Sequence, residues 1–178
     1  MDLTEKTVSQ KYAYKGRIVN LRLDEAALPN GKIVGREVVE HPGGVCVAAL
    51  TDDRDLLLVR QYRYPYGKAL LEVPAGKLER GEDPEACGLR ELEEETGARA
   101  ARVELLCEVY PTPGYCAEVI RVYGASGLTF GEQRPDEDEF LECERVPLTE
   151  ALRMVEAGEI ADAKTQIAVL RLARKLGL

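Results

Sequence analysis

The sequence predicts an α/β fold, a sheet covered by helices on both faces and preceded by an antiparallel β-hairpin. Short apolar runs at 45–50 and 56–62 have the length and continuity of central strands. A capped, strongly acidic helix falls in mid-chain, and two amphipathic helical stretches close the chain at about 149–157 and about 162–176. Strands interleaved with one central and two terminal helices pack best as a sheet between helical layers.

Taken in order, RIVNLRLDEAAL (17–28) alternates in part, Pro29-Asn30-Gly31 makes a turn, and KIVGREVVEH (32–41) returns. A lone hairpin is marginal in water, so the segment 1–41 must pack on the rest of the chain or on a second copy. Pro42-Gly43-Gly44 breaks the chain, and 42–178 is read as the main domain. VCVAAL (45–50) and LLLVRQY (56–62) are strands joined by a turn from Thr51 to Asp55. Leu70 to Val73 lead into Pro74-Ala75-Gly76. VELLCEVY (103–110) and EVIRVYGA (118–125) are strands around the loop Pro111 to Ala117, and FLECERV (140–146) is a strand after an acidic loop, Gly131 to Glu139. No internal repeat is visible.

With 178 residues, 45% of them hydrophobic, the chain is long enough for one domain with an appendage and a proper core. The five cysteines are odd in number and never spaced C-x-x-C, which reads as reduced thiols without a zinc site. No apolar run approaches a membrane span and no signal peptide is evident, so a cytoplasmic protein without membrane partners is expected. A net charge of −8 argues against nucleic acid, whose binding depends on Lys and Arg. Small phosphorylated ligands stay possible, provided a metal and a few local arginines admit them.

The stretch GKLERGEDPEACGLRELEEETGA (76–98) carries the chemistry. Asp83 suits an N-cap, Pro84 the first helical position and Glu85 the first turn, while Gly97 supplies the stop. At about 100° per residue, Glu91, Glu94 and Glu95 share an arc of roughly 100°. Ala86, Leu89, Leu92 and Thr96 lie opposite and are expected to form the buried stripe. Arg90, four residues before Glu94, can hold it in place. Like charges at helical spacing cost about 0.2–0.5 kcal/mol per pair, and Arg90 is the one base between 85 and 97. A bare cluster of this kind is often a solvated acidic face; a hard divalent cation is the other way to stabilise it.

The whole pattern is more restrictive than the cluster. A Gly, five residues, a Glu, seven residues, then Arg-Glu-apolar-x-Glu-Glu-x-Gly resembles the signature box of the Nudix hydrolases. Ala98 stands where that family usually has a larger aliphatic, a packing difference that leaves the chemistry intact. The resemblance implies a Nudix-type α/β/α sandwich with a mixed sheet over 42–178. It further implies metal ligation by Glu91, Glu95 and the carbonyl of Ala75, with Mg²⁺ as cofactor and Mn²⁺ as a substitute. Glu94 either ligates too or only hydrogen-bonds within the catalytic group. Gly76 opens the substrate-facing loop, and Glu82 supports the loop and helix start.

PDEDEFLE (135–142) alone reads as a solvated loop. Beside this box it is similar to the Glu-x-Glu of ADP-ribose pyrophosphatases, which implies Glu137 as general base and Glu139 as metal ligand, or the reverse. Thr112-Pro113-Gly114 and VRQYRYP (59–65) resemble the same branch, as do LPNGK, REVVEHPG and the tail EALRMVEAGEIADAKT. By that resemblance Arg63 meets a phosphate or stacks on adenine. Glu118 touches the terminal ribose, and Arg36, Tyr14, Tyr12 and His41 lie where the N-terminal segment holds adenine. A homodimer with sites built from both chains is implied. The expected reaction is Mg²⁺-dependent hydrolysis of ADP-ribose to AMP and ribose 5-phosphate. The rivals are another nucleoside-diphosphate sugar, such as ADP-glucose or GDP-mannose, and a non-catalytic ADP-ribose sensor.

Overall fold

A computed structural model describes residues 1–135 and 139–178. The chain forms two compact units, Met1–Gly43 with Tyr110–Val119, and Gly44–Val109 with Ile120–Leu178.

The first unit is a three-stranded antiparallel sheet in the order β1 (Lys6–Lys15), β2 (Asn20–Ala27), β3 (Ile33–Glu40). The expected hairpin is β2–β3, paired from Asn20↔Glu40 to Ala27↔Ile33. Its turn uses Gly31 at φ 83°, and Asn30 Oδ1 accepts from Lys32 N at 3.0 Å. The sequence reading left out β1. All ten of its residues are exposed, so neither face needs an apolar pattern that periodicity could detect. Cross-strand polar pairs hold it instead, Ser9 Oγ donating to Glu25 at 2.8 Å and Gln10 Nε2 to Asp24 at 3.2 Å. The segment 110–119 docks on the end of β3, where Val39 N donates to Tyr115 O at 2.8 Å and Ala117 N to Val39 O at 2.9 Å.

The second unit contains β4 (Gly44–Ala49), β5 (Asp55–Arg63), β6 (Lys68–Glu72), β7 (Ala75–Lys77), α1 (Pro84–Thr96), β8 (Ala98–Val109), β9 (Ile120–Phe130), β10 (Leu141–Pro147), α2 (Leu148–Glu156) and α3 (Ala163–Lys175). Its sheets run β7-β4-β9-β8 and β10-β5-β6. The pair β4–β9 is parallel and its neighbours are antiparallel, which makes the four-stranded sheet mixed. Every residue of β4 is buried, which explains its unbroken apolar run. Val45, Val47 and Ala49 face one core with Cys87 and Leu92 of α1. Cys46 and Ala48 face the other, with Leu148 and Ala151 of α2 and Ala168, Val169 and Leu172 of α3. The sheet is therefore covered on both sides, as the sequence predicts. Strand β8 starts at Ala98, directly after the helix, rather than at 103, because Gly97 at φ 70° turns the chain at once.

Candidate active site

Helix α1 is capped as its sequence requires. Asp83 accepts from Ala86 N at 3.0 Å, Pro84 opens the first turn, and Gly97 N–H closes on Glu93 O at 2.8 Å. Its rotation corrects the expected stripe. Ala86 is exposed, and Leu89 and Thr96 are half-buried. The buried face is Cys87, Gly88, Glu91, Leu92 and Glu95. Gly88 permits this approach, since a Cβ there would meet Val47 Cγ2 at 3.1 Å. Two carboxylates thus point inward because the interior supplies partners for them, whereas the periodic reading placed all charge outward.

Those partners lie on β7 and α1. Ala75 N donates to Glu95 Oε2 at 3.1 Å. Gly76 lies so close to Glu91 that a Cβ would fall 1.9 Å from its Oε1. Successive residues of one short strand therefore press on carboxylates from successive turns of the helix. Arg90 binds the outer side: Nε to Glu82 at 3.1 Å, Nη1 to Glu91 at 3.0 Å and to Glu94 at 2.8 Å. Burial opposes the Arg90 charge, but Glu82, Glu91 and Glu94 outweigh it and hold the guanidinium protonated. Glu82 also accepts from Glu79 N at 2.9 Å, fixing the loop before the helix.

Glu95 is 1% exposed and Glu91 9%. Burial pushes Glu95 up to about 8; the Ala75 N–H works against that, Glu91 and Glu139 add to it, and Arg63 opposes it. Burial also raises Glu91, against Arg90, with Glu94 and Glu139 contributing upward. Half-buried Glu139 thus lies within electrostatic reach of both carboxylates.

Arg63 is not a free surface cation. Its Nε and Nη2 form a fork on Glu72 Oε1 and Oε2, each at 2.7 Å. Glu72 is 1% exposed and also pairs with Lys164, which reaches Asp162 at 3.0 Å. Burial opposes ionisation of Glu72, but Arg63 and Lys164 together hold its carboxyl below the usual range. Asp162 caps α3 through Thr165 N, and Thr165 Oγ1 accepts from Val73 N at 2.9 Å. Sequence reasoning missed this network. Its one local signal is a glutamate inside the apolar run Leu70-Leu71-Glu72-Val73.

The structure brings Ala75, Gly76, Glu91, Glu94 and Glu95 together, with Arg63 and Glu139 in electrostatic range of Glu95. Tyr14, Arg36 and Glu118 belong to the first unit. There the Tyr14 ring covers Gly16, Arg36 forks onto Glu5 at 2.7 and 3.0 Å, and Glu118 lies 3.3 Å from His41 Nδ1. Glu137, the expected base, lies outside the described residues. Among the described residues no three acidic, histidine or cysteine side chains converge into a ready-made cation cage. The donor chemistry nevertheless suits a hard cation: two buried carboxylates beside a strand backbone, in surroundings that penalise their charge.

Comparison with known proteins agrees with this architecture. The NUDIX domain family matches residues 40–166, and the nucleoside diphosphate sugar hydrolase N-terminal domain matches residues 5–39. A Bacillus subtilis (strain 168) protein named ADP-ribose pyrophosphatase is 43% identical over 178 residues, 99% of this chain and 96% of that protein. The methanol dehydrogenase activator of Bacillus methanolicus is 45% identical, covering 93% of this chain and 90% of its own length. A GDP-mannose pyrophosphatase of Yersinia enterocolitica is 35% identical over 80% of this chain and 79% of its own. A crystal structure of an ADP compounds hydrolase superposes with a TM-score of 0.86 at 22% identity, over 99% of this chain and 98% of that one.

Proposed function

The chain belongs to the Nudix hydrolase family, and from that premise we propose that it cleaves the pyrophosphate bond of ADP-ribose, giving AMP and ribose 5-phosphate, with Mg²⁺ as cofactor and Mn²⁺ able to replace it. The observation that carries this reading is the placement of Glu91 and Glu95 against the backbone of Ala75 and Gly76. Bound by Glu91, Glu95, the Ala75 carbonyl and Glu139, a divalent cation would neutralise phosphate oxygens and acidify a water. Arg90 keeps Glu94 and Glu91 oriented from the outer side. Glu137 is the proposed base. It takes the proton of the attacking water as the new phosphorus–oxygen bond forms and the bridging bond to the leaving phosphate breaks.

Arg63 is held rigidly by two of its donors on Glu72, so its remaining N–H groups are pre-oriented for an anionic substrate. Tyr14, Arg36 and Glu118 are proposed to hold the adenosine and the terminal ribose. The exposed β1, with Tyr12 and Tyr14 at 43% and 60% exposure, supports a homodimer built through the N-terminal sheet. None of the described helices is long and apolar enough to cross a membrane, which is consistent with a cytoplasmic enzyme.

The GDP-mannose pyrophosphatase relative favours a second reading, the same chemistry on another nucleoside-diphosphate sugar. One assay separates them. Purified protein is given ADP-ribose, ADP-glucose and GDP-mannose with Mg²⁺, and again with EDTA. AMP release confined largely to ADP-ribose and abolished by EDTA is expected. Equal rates across bases would reject the ADP-ribose assignment, and EDTA-insensitive turnover would reject the metal.

A further inference from the structure

The C-terminal end of α1 carries more than a helix stop. A helix leaves its last carbonyls without intrahelical partners. Here the segment that follows β9 takes two of them, Arg134 N donating to Glu94 O at 2.9 Å and Gln133 Nε2 to Glu95 O at 2.6 Å, and Gly131 N donates to Gly97 O at 2.8 Å just past the helix. The approach is close. A Cβ on Gly97 would stand 2.6 Å from Gly131 O and 3.1 Å from Gln133 N, so this glycine serves both its positive φ and the docking of the segment. Of these bonds, the one from Gln133 alone uses a side chain, so a substitution can remove it without touching the backbone.

Further along, the chain enters β10 at Leu141, which pairs with Gln61 of β5. In sequence Glu139 therefore lies between two anchors, the contacts of 131–134 with the end of α1 and the pairing of β10 with β5. The first anchor grips the carbonyl of Glu95, whose carboxylate is one of the two that feel the Glu139 charge.

We propose that Gln133 is a positioning residue: its amide, bonded to the carbonyl of Glu95, fixes the root of the acidic segment on the end of α1 and so sets where the Glu139 carboxylate stands relative to Glu91 and Glu95. The inference rests on the reading of Glu139 as part of the hydrolytic site.

A double-mutant cycle in the full-length protein tests it. Gln133→Met keeps the length of the side chain and removes its donor. It is expected to lower kcat for ADP-ribose about tenfold with KM nearly unchanged, as displacement of a reacting group does. In a Glu139→Gln background the same substitution adds no further loss. Gln133→Lys restores a donor at a helix C-terminus, where a cation is favourable, and keeps kcat within about threefold of wild type. Additive losses in the cycle overturn the proposal, because they show that Gln133 does not act through Glu139. Wild-type kcat in Gln133→Met, or a Lys variant as slow as the Met one, overturns it too. Wild-type turnover in Glu139→Gln instead refutes the underlying site reading, and the inference with it.

Discussion

A methyl group at residue 76 needs space that Glu91 already fills. The shortest approach of such a Cβ to the Glu91 carboxylate is 1.9 Å, far inside van der Waals contact, and the crowding involves its Cδ and Cγ as well. Because Glu91 is buried and tied by Arg90, it cannot swing freely away. Gly76→Ala is therefore expected to displace the carboxylate rather than to unfold the chain, as β7 is a short strand with ordinary backbone angles. A displacement of about 1 Å at a reacting group can cost about 10²-fold in rate. The expected result is a loss of that order in kcat/KM for ADP-ribose in a protein that still unfolds cooperatively, at a somewhat lower thermal midpoint. Wild-type kcat/KM in a folded Gly76→Ala protein would show that Glu91 tolerates another position and is not held there for chemistry. Arg90 likewise balances three carboxylates that would otherwise repel one another.

At the scale of an element, α1 owes its start to one side chain. Asp83 Oδ1 accepts from Ala86 N, with Pro84 and Glu85 supporting the first turn. Asp83→Ala is expected to cost about 1 kcal/mol, read as a lower urea midpoint at unchanged slope. The kcat of the folded fraction should hold, because Glu91 and Glu95 lie two and more turns away; a large fall in kcat instead would tie the cap to the site. This cap, the stop at Gly97 and the Arg90–Glu94 pair were legible in the sequence because each depends on neighbours within one turn. Less local features were not. The helix rotation escaped the periodic reading, which assumes that hydrocarbon goes inward; here the Ala75 N–H and Arg90 let carboxylates take the buried side. The pairing of Glu72 with Lys164 spans 92 residues and exists only once β6 and α3 are packed. Strand β1 has only a broken apolar alternation, Val8, Tyr12 and Tyr14 around Gln10, and all of it remains exposed. Gln133 is by sequence one more polar residue in an acidic stretch, because its partner, the Glu95 carbonyl, lies 38 residues away.

For the molecule as a whole, the buried carboxylates make stability depend on pH in an uncommon direction. Burial pushes Glu95 up to about 8 in the folded chain against an ordinary carboxylate value of 4.5, and raises Glu91 as well. Between those two pH values Glu91 and Glu95 hold more protons in the folded chain than in the unfolded one. The slope of unfolding free energy with pH is set by the unfolded count minus the folded count, so it is negative there and stability falls as pH rises. Carboxylates held below their usual range, Glu72 among them, are ionised in both states from about pH 6 upward and contribute no slope there. One group contributes at most about 1.4 kcal/mol per pH unit. In EDTA, urea midpoints should therefore drop steadily from about pH 6 to pH 8. Saturating Mg²⁺ should reduce or reverse the drop, since a cation that binds the ionised carboxylates stabilises the fold most where protons no longer compete. A midpoint in EDTA that stays level or climbs from pH 6 to 8 would mean that these side chains ionise without penalty. In that case the interior around Glu91 and Glu95 is not built to demand a cation.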